Sequence, residues 1–143
     1  MRARAKTRIG ALLFSFAYIV NADEAQMLKH VDELQWENRL ILVDAEDDSE
    51  DLVSALKSRT AEIDERHILW FVISDNRVTS NFPGKIERTF PRSLAEKYPI
   101  QPGNVALIGK DAGVKSRSRR LDIDAIFRQI DSMPMRIQEM RNN

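Results

Sequence analysis

Leu40-Ile41-Leu42-Val43-Asp44-Ala45 is the stretch that decides the fold of this 143-residue chain. Four consecutive aliphatic residues bounded by polar ones describe a strand buried on both faces, as at the centre of a partly parallel sheet. The residues that leave it, Glu46-Asp47-Asp48-Ser49-Glu50-Asp51, mark the handover from strand to helix. In α/β sheets the carboxyl end of a central strand is the usual place for chemistry. Here that place holds carboxylates and one serine.

Moving outward, Asp47 or Asp48 is positioned to cap the next helix, where an acid accepts unpaired amides and suits the dipole. Leu52, Leu56 and Ile63 fall on one face of that helix. Ile68 to Ile73 is a second buried strand, so strand, helix and strand imply a right-handed parallel crossover. His67 stands at its entrance and, with no second His or Cys nearby, reads as a strand-end residue rather than a ligand. Upstream, Met27, Leu28, Val31 and Leu34 at helical spacing predict a short leading helix.

Downstream, Ser74 to Pro91 is polar and reads as a loop interrupted at most by a short strand. Ser93 to Tyr98 predicts a brief helix stopped by Pro99. Val105 to Ile108 forms a third strand, and Gly109-Lys110-Asp111-Ala112-Gly113 connects it tightly to a fourth, Val114 to Ser118. Ile123, Ile126, Phe127, Ile130 and Met133 repeat at helical spacing, with Asp122 as cap and Pro134 as stop. The fold class is therefore α/β, with a central mixed sheet of about four strands flanked by helices.

Three segments carry a resemblance to a known family: Trp36-Glu37-Asn38-Arg39-Leu40, Ala106 to Lys115, and Ile130-Asp131-Ser132-Met133-Pro134-Met135-Arg136. Together they resemble the thioredoxin-like domain of unknown function of exported bacterial proteins, which also occurs in animal sushi-repeat-containing secreted proteins. The resemblance covers about residues 27 to 141 and implies a thioredoxin-like fold. It also brings a proposed oxidoreductase role that the residues here do not carry. Thiol exchange and peroxide reduction begin with a cysteine sulfur, and the chain has no cysteine. Thiol-based redox catalysis is excluded.

Charge divides the chain. Residues 1 to 22 hold Arg2, Arg4, Lys6 and Arg8 and no acid, followed by apolar Ile9 to Val20 and the small-residue site Val20-Asn21-Ala22. That three-part pattern predicts a signal peptide over 1–22, in preference to an uncleaved anchor, with a single domain over 23–143. Export places the protein in the periplasm or outside the cell, with no stable membrane span once the signal is removed. Of 22 bases 18 remain against 22 acids, a balance of −4 that argues against nucleic-acid binding.

Six carboxylates between Asp44 and Asp51 invite a calcium reading, but Ser49 occupies the place where an EF-hand loop needs glycine. A solvated helix start is the preferred account, no metal ligand is assigned, and nothing specifies a cofactor. No nucleophile-elbow pattern accompanies His30 or His67, so no catalytic residue is assigned. Both tryptophans read as core or rim packing. Lys110, Lys115, Arg117, Arg119 and Arg120 concentrate positive charge on the last hairpin, where alternation puts Lys115 and Arg117 on one face. They describe either a charge-protected edge strand or, with Arg136 of the final segment, a face for an unknown protein or an anionic ligand. The function expected is a non-catalytic binding or accessory module; the competing reading is an enzyme or metal-binding protein that uses the acidic loop.

Overall fold

The computed structural model describes residues 26–143. The signal peptide expected over 1–22 lies outside the described residues. The elements are β1 (Met27–Leu28), a 3-10 turn (Val31–Leu34), β2 (Arg39–Asp44), α1 (Ser49–Lys57), α2 (Thr60–Glu65), β3 (Ile68–Ser74) and β4 (Arg77–Ser80). They continue with β5 (Lys85–Ile86), α3 (Phe90–Lys97), β6 (Val105–Ile108), β7 (Val114–Ser118), α4 (Ile123–Asp131) and α5 (Pro134–Asn142).

Five strands form a mixed sheet in the order β4-β3-β2-β6-β7. The central pair β2 and β3 runs parallel, and every other neighbour is antiparallel. This arrangement is compatible with a thioredoxin-like fold. Alternation along β2 explains its unbroken aliphatic run. Ile41 and Val43 face one core with Leu56, Ile63, Phe127 and Ile130 of α1, α2 and α4. Leu40 and Leu42 face a second core with Phe90, Leu94 and Tyr98 of the α3 side. Trp70 is buried in the first core. A strand covered on both faces has no position for a polar residue except at its ends, where Arg39 and Asp44 stand.

Several elements differ from expectation for physical reasons. Met27 and Leu28 do not begin a helix; they pair in parallel with Lys85 and Ile86 as a separate two-stranded sheet, and only Val31–Leu34 winds. The helix after β2 breaks at Ser58, where Ser58 Oγ donates to the Ala55 carbonyl (2.6 Å) and Thr60 Oγ1 to the Lys57 carbonyl (2.7 Å). Such local bonds compete with the helical ladder. Asp48 occupies the cap position of α1, but its side chain makes no capping bond. Asp122 does cap α4, accepting from the Ala125 amide at 2.9 Å.

The polar stretch after β3 contains a fifth strand of the sheet. Asp75 and Asn76 both have positive φ (48° and 61°), which gives the two-residue turn that matches hairpin twist. Pro134 follows the end of α4 at Asp131, as expected of a stop, and it also opens a further helix, α5, at the first helical position, where its missing amide is no loss. The residue before it, Met133, is extended (φ −74°, ψ 138°), as a following proline favours.

Candidate functional site

The three segments singled out by resemblance meet at one place, the end of the sheet where β2 begins and β6 ends. A cleft of about 520 Å³ there is lined by Arg39 from the first segment, and by Gly109, Lys110, Asp111 and Lys115 from the second. Ser132, Met133, Pro134 and Met135 come from the third, and Gln129 from α4. The acidic loop after β2 lies at the opposite end of that strand.

The floor is built on buried cations. Arg39 follows the parity of Ile41 and Val43 and so points to the α4 and α5 side, where it is 1% exposed. Its guanidinium donates to the Arg66 carbonyl (2.9 Å) and to both oxygens of Glu139 on α5 (3.1 and 3.3 Å). Lys110 is 9% exposed. Its ammonium donates to Glu139 Oε1 (2.7 Å) and lies 2.8 Å from His67 Nδ1. Since an ammonium has no acceptor, His67 accepts there and carries its proton on Nε2. Arg136, 1% exposed, donates to the Glu65 carbonyl (3.0 Å) and carboxylate (2.7 Å). Arg66 donates to both oxygens of Asp131 (3.0 and 2.7 Å) and lies 4.4 Å above the Phe127 ring.

The rim is set by the β6–β7 turn. The Gly109 amide donates to the Gly113 carbonyl (2.8 Å), and Ala112 closes the turn at φ 66°. Asp111 accepts from Lys115 Nζ (2.8 Å) and the Gly113 amide (3.0 Å), and these bonds hold its carboxyl below the usual range. Lys115 is the extra residue of an irregular register, because Leu107 pairs with Ser116 while Ile108 pairs with Val114. The bulge overturns the expectation that Lys115 and Arg117 share a face. Lys115 turns to the α4 side, where Gln129 Nε2 donates to its carbonyl (3.2 Å). Arg117 reaches the Pro99 carbonyl (2.7 Å) beyond α3.

Of the expected binding residues, then, Lys110, Lys115 and Arg136 gather at this end, with Lys110 and Lys115 in the cleft and Arg136 beneath it. Arg117, Arg119 and Arg120 lie exposed along the far half of β7 and beyond. Glu139 was not singled out by sequence, Arg39 appeared there only within the first resembling segment, and His67 only as a strand-end residue. The spacing of Arg136 and Glu139, one helical turn apart, was the signal available. Trp36 is 60% exposed at φ 69°, with its amide on the Lys110 carbonyl, so it is not a core residue.

Charge at this end is unequal. Arg39, Arg66, Lys110, Lys115 and Arg136 face Glu65, Asp111, Asp131 and Glu139, five cations to four carboxylates. Burial opposes ionisation of Glu139, but hydrogen bonds from Lys110 and Arg39 outweigh it and hold its carboxyl below the usual range. Arg66 does the same for Asp131, against a smaller cost of burial. At the other end of β2, Glu46, Asp47, Asp48, Glu50 and Asp51 are exposed or half-exposed side chains around the start of α1. Among the described residues no group of three or more His, Cys, Asp or Glu is placed to hold a metal ion. Among them, too, no helix is long and apolar enough to cross a membrane.

Residues 30–139 match a family described as a domain of unknown function, DUF4174, and the chain belongs to that family. No curated protein and no solved structure matches it.

Proposed function

We propose that this DUF4174 domain is an exported, thioredoxin-like, non-catalytic module that binds an anionic group in the cleft between β2, the β6–β7 turn and the α4–α5 turn. The observation that carries the reading is the convergence of Arg39, Lys110 and Lys115 on one cleft whose floor shares a single carboxylate, Glu139. Two cations held on one carboxylate leave positive potential beside it. In a half-dry cleft that potential attracts a second anion more strongly than an exposed lysine would. Lys115, half-exposed at the rim and tied to Asp111, is free to exchange that partner for an incoming group at small cost, because exposed pairs contribute little. Gly109 has no side chain to displace the Lys115 stem and the Asp111 carboxylate, which pack against its backbone and so stay at the rim.

Export rests on the basic and apolar start of the chain, and the absence of cysteine supports a role without redox chemistry. Nothing at this end supplies a nucleophile with a neighbouring base, so binding rather than turnover follows from the residues present. Isothermal titration of the processed protein with inorganic phosphate and with succinate tests the reading. Saturable binding is expected at low salt, weaker at 1 M salt where the Debye length is about 3 Å, and lost in Lys110→Met. Undiminished binding by Lys115→Ala together with Lys110→Met, or no binding by wild type at millimolar anion, contradicts it.

A further inference from the structure

At the carboxyl end of β2 lies a second cleft, of about 630 Å³, between the sheet and α3. Leu42, Ile73, Leu94 and Tyr98 give it apolar walls. The Tyr98 hydroxyl is taken up elsewhere, donating to the Ala112 carbonyl at 2.7 Å, so the tyrosine offers the cleft no polar anchor. Polarity enters from Asp44, the last residue of β2, from Asn76 and Glu96, and from Arg88 and Arg92. The backbone of Asp44 is satisfied: its amide donates to the Asn104 carbonyl (3.1 Å) and its carbonyl accepts from the Gly103 amide (2.9 Å). Its carboxylate has no hydrogen bond or ion pair among the described residues, whereas Asp111, Asp131 and Glu139 each have at least two.

Burial, and then the charge of Glu46, raise the pKa of Asp44 above its ordinary value. The fold therefore keeps a carboxylate where it gains nothing from it, in a cleft of ligand size. Arg88 is likewise without an ion pair among the described residues, while Arg92 has Glu96 at 3.9 Å. Arg88, exposed just before α3, is thus the second unpaired charge lining the cleft, opposite in sign to Asp44. A cleft of about 630 Å³ has room for more than one residue, so a peptide of two apolar residues is the ligand that its walls and charges suit.

We propose that this cleft binds a short apolar peptide, with the peptide's ammonium on Asp44 and its terminal carboxylate on Arg88. The site is independent of the anion cleft at the other end of the strand. Titration of the processed protein with the dipeptide Leu-Leu, its N-acetyl form and its C-terminal amide tests the assignment. Wild type is expected to bind Leu-Leu saturably and the N-acetyl form about tenfold more weakly, a loss of 1.4 kcal/mol. Asp44→Asn should weaken Leu-Leu to the level of the N-acetyl form and leave the latter unchanged. Arg88→Gln should weaken the free acid and spare the amide. Both substitutions fall on side chains without partners, so folded variants are expected. No saturable binding by wild type, or equal affinity for all three probes, overturns the proposal.

Discussion

Replacing Glu139 by glutamine separates stability from binding at the β2 cleft. Glu139 Oε1 serves Lys110 (2.7 Å) and one Arg39 nitrogen (3.3 Å), and Oε2 serves the other (3.1 Å). An amide has one acceptor oxygen, so either orientation turns an NH2 group toward a buried cation. The side chain is 17% exposed, which leaves little solvent to relieve the conflict. Removing one partner of a buried ion pair costs about 3 to 5 kcal/mol. Glutamine keeps the shape and one bond, so about 3 kcal/mol is expected, a fall in Tm of about 10 °C for a domain of this size. Because the folded-state pKa of Glu139 is depressed, its contribution is fully present above the ordinary carboxylate value. It fades as pH falls through the depressed one. The gap between wild type and variant in thermal melts by circular dichroism should thus be full at pH 7 and shrink toward pH 3. The same substitution adds a unit of positive charge to the cleft and should tighten phosphate about tenfold, or 1.4 kcal/mol. A variant that melts within 2 °C of wild type at pH 7 refutes the buried-network account.

Other outcomes follow from single features. Asp44→Asn should raise Tm at pH 7, since a raised folded-state pKa marks a charge that costs stability above the unfolded value; melts at pH 7 and pH 3 should show the gain vanish in acid. Gly84→Ala should destabilise the β1–β5 pair, because an added Cβ would overlap the Gln26 carbonyl oxygen. Amide exchange at Lys85 and Glu87 should accelerate, as their amides donate to the Gln26 and Leu28 carbonyls across that pairing. Asp122→Ala should cost about 1 kcal/mol in urea unfolding by removing the cap on Ala125. The purified protein should not reduce insulin disulfides above a protein-free blank, having no cysteine.

The core was legible because apolar runs are read by the same periodicity that buries them. Leu40 to Val43, Ile68 to Val72 and the Ile123 to Ile130 repeat all took the places their spacing implied. The misreadings share another cause. Met27 and Leu28 suit a helix locally, and only pairing with Lys85 and Ile86, far along the chain, makes them a strand. Asp75-Asn76 was a hairpin signal hidden in a polar stretch, since the strand it serves, Arg77–Ser80, is a half-exposed sheet edge with little apolar content. The β2 cleft was harder still. Lys110 and Arg136 were recognisable as bases, but their burial depends on Glu139 and Glu65, which reach them across 29 and 71 residues or along a helix turn that sequence leaves unoriented. Lys115 changed face through a bulge that no local pattern announces.

Mapping amide chemical shifts during a phosphate titration tests the central claim most directly. The account predicts saturable shifts at Gly109, Lys110, Lys115 and Ser132, which surround the cleft, and none along Arg117 to Arg120. Shifts confined to Arg117, Arg119 and Arg120, with the cleft amides unmoved, would contradict it.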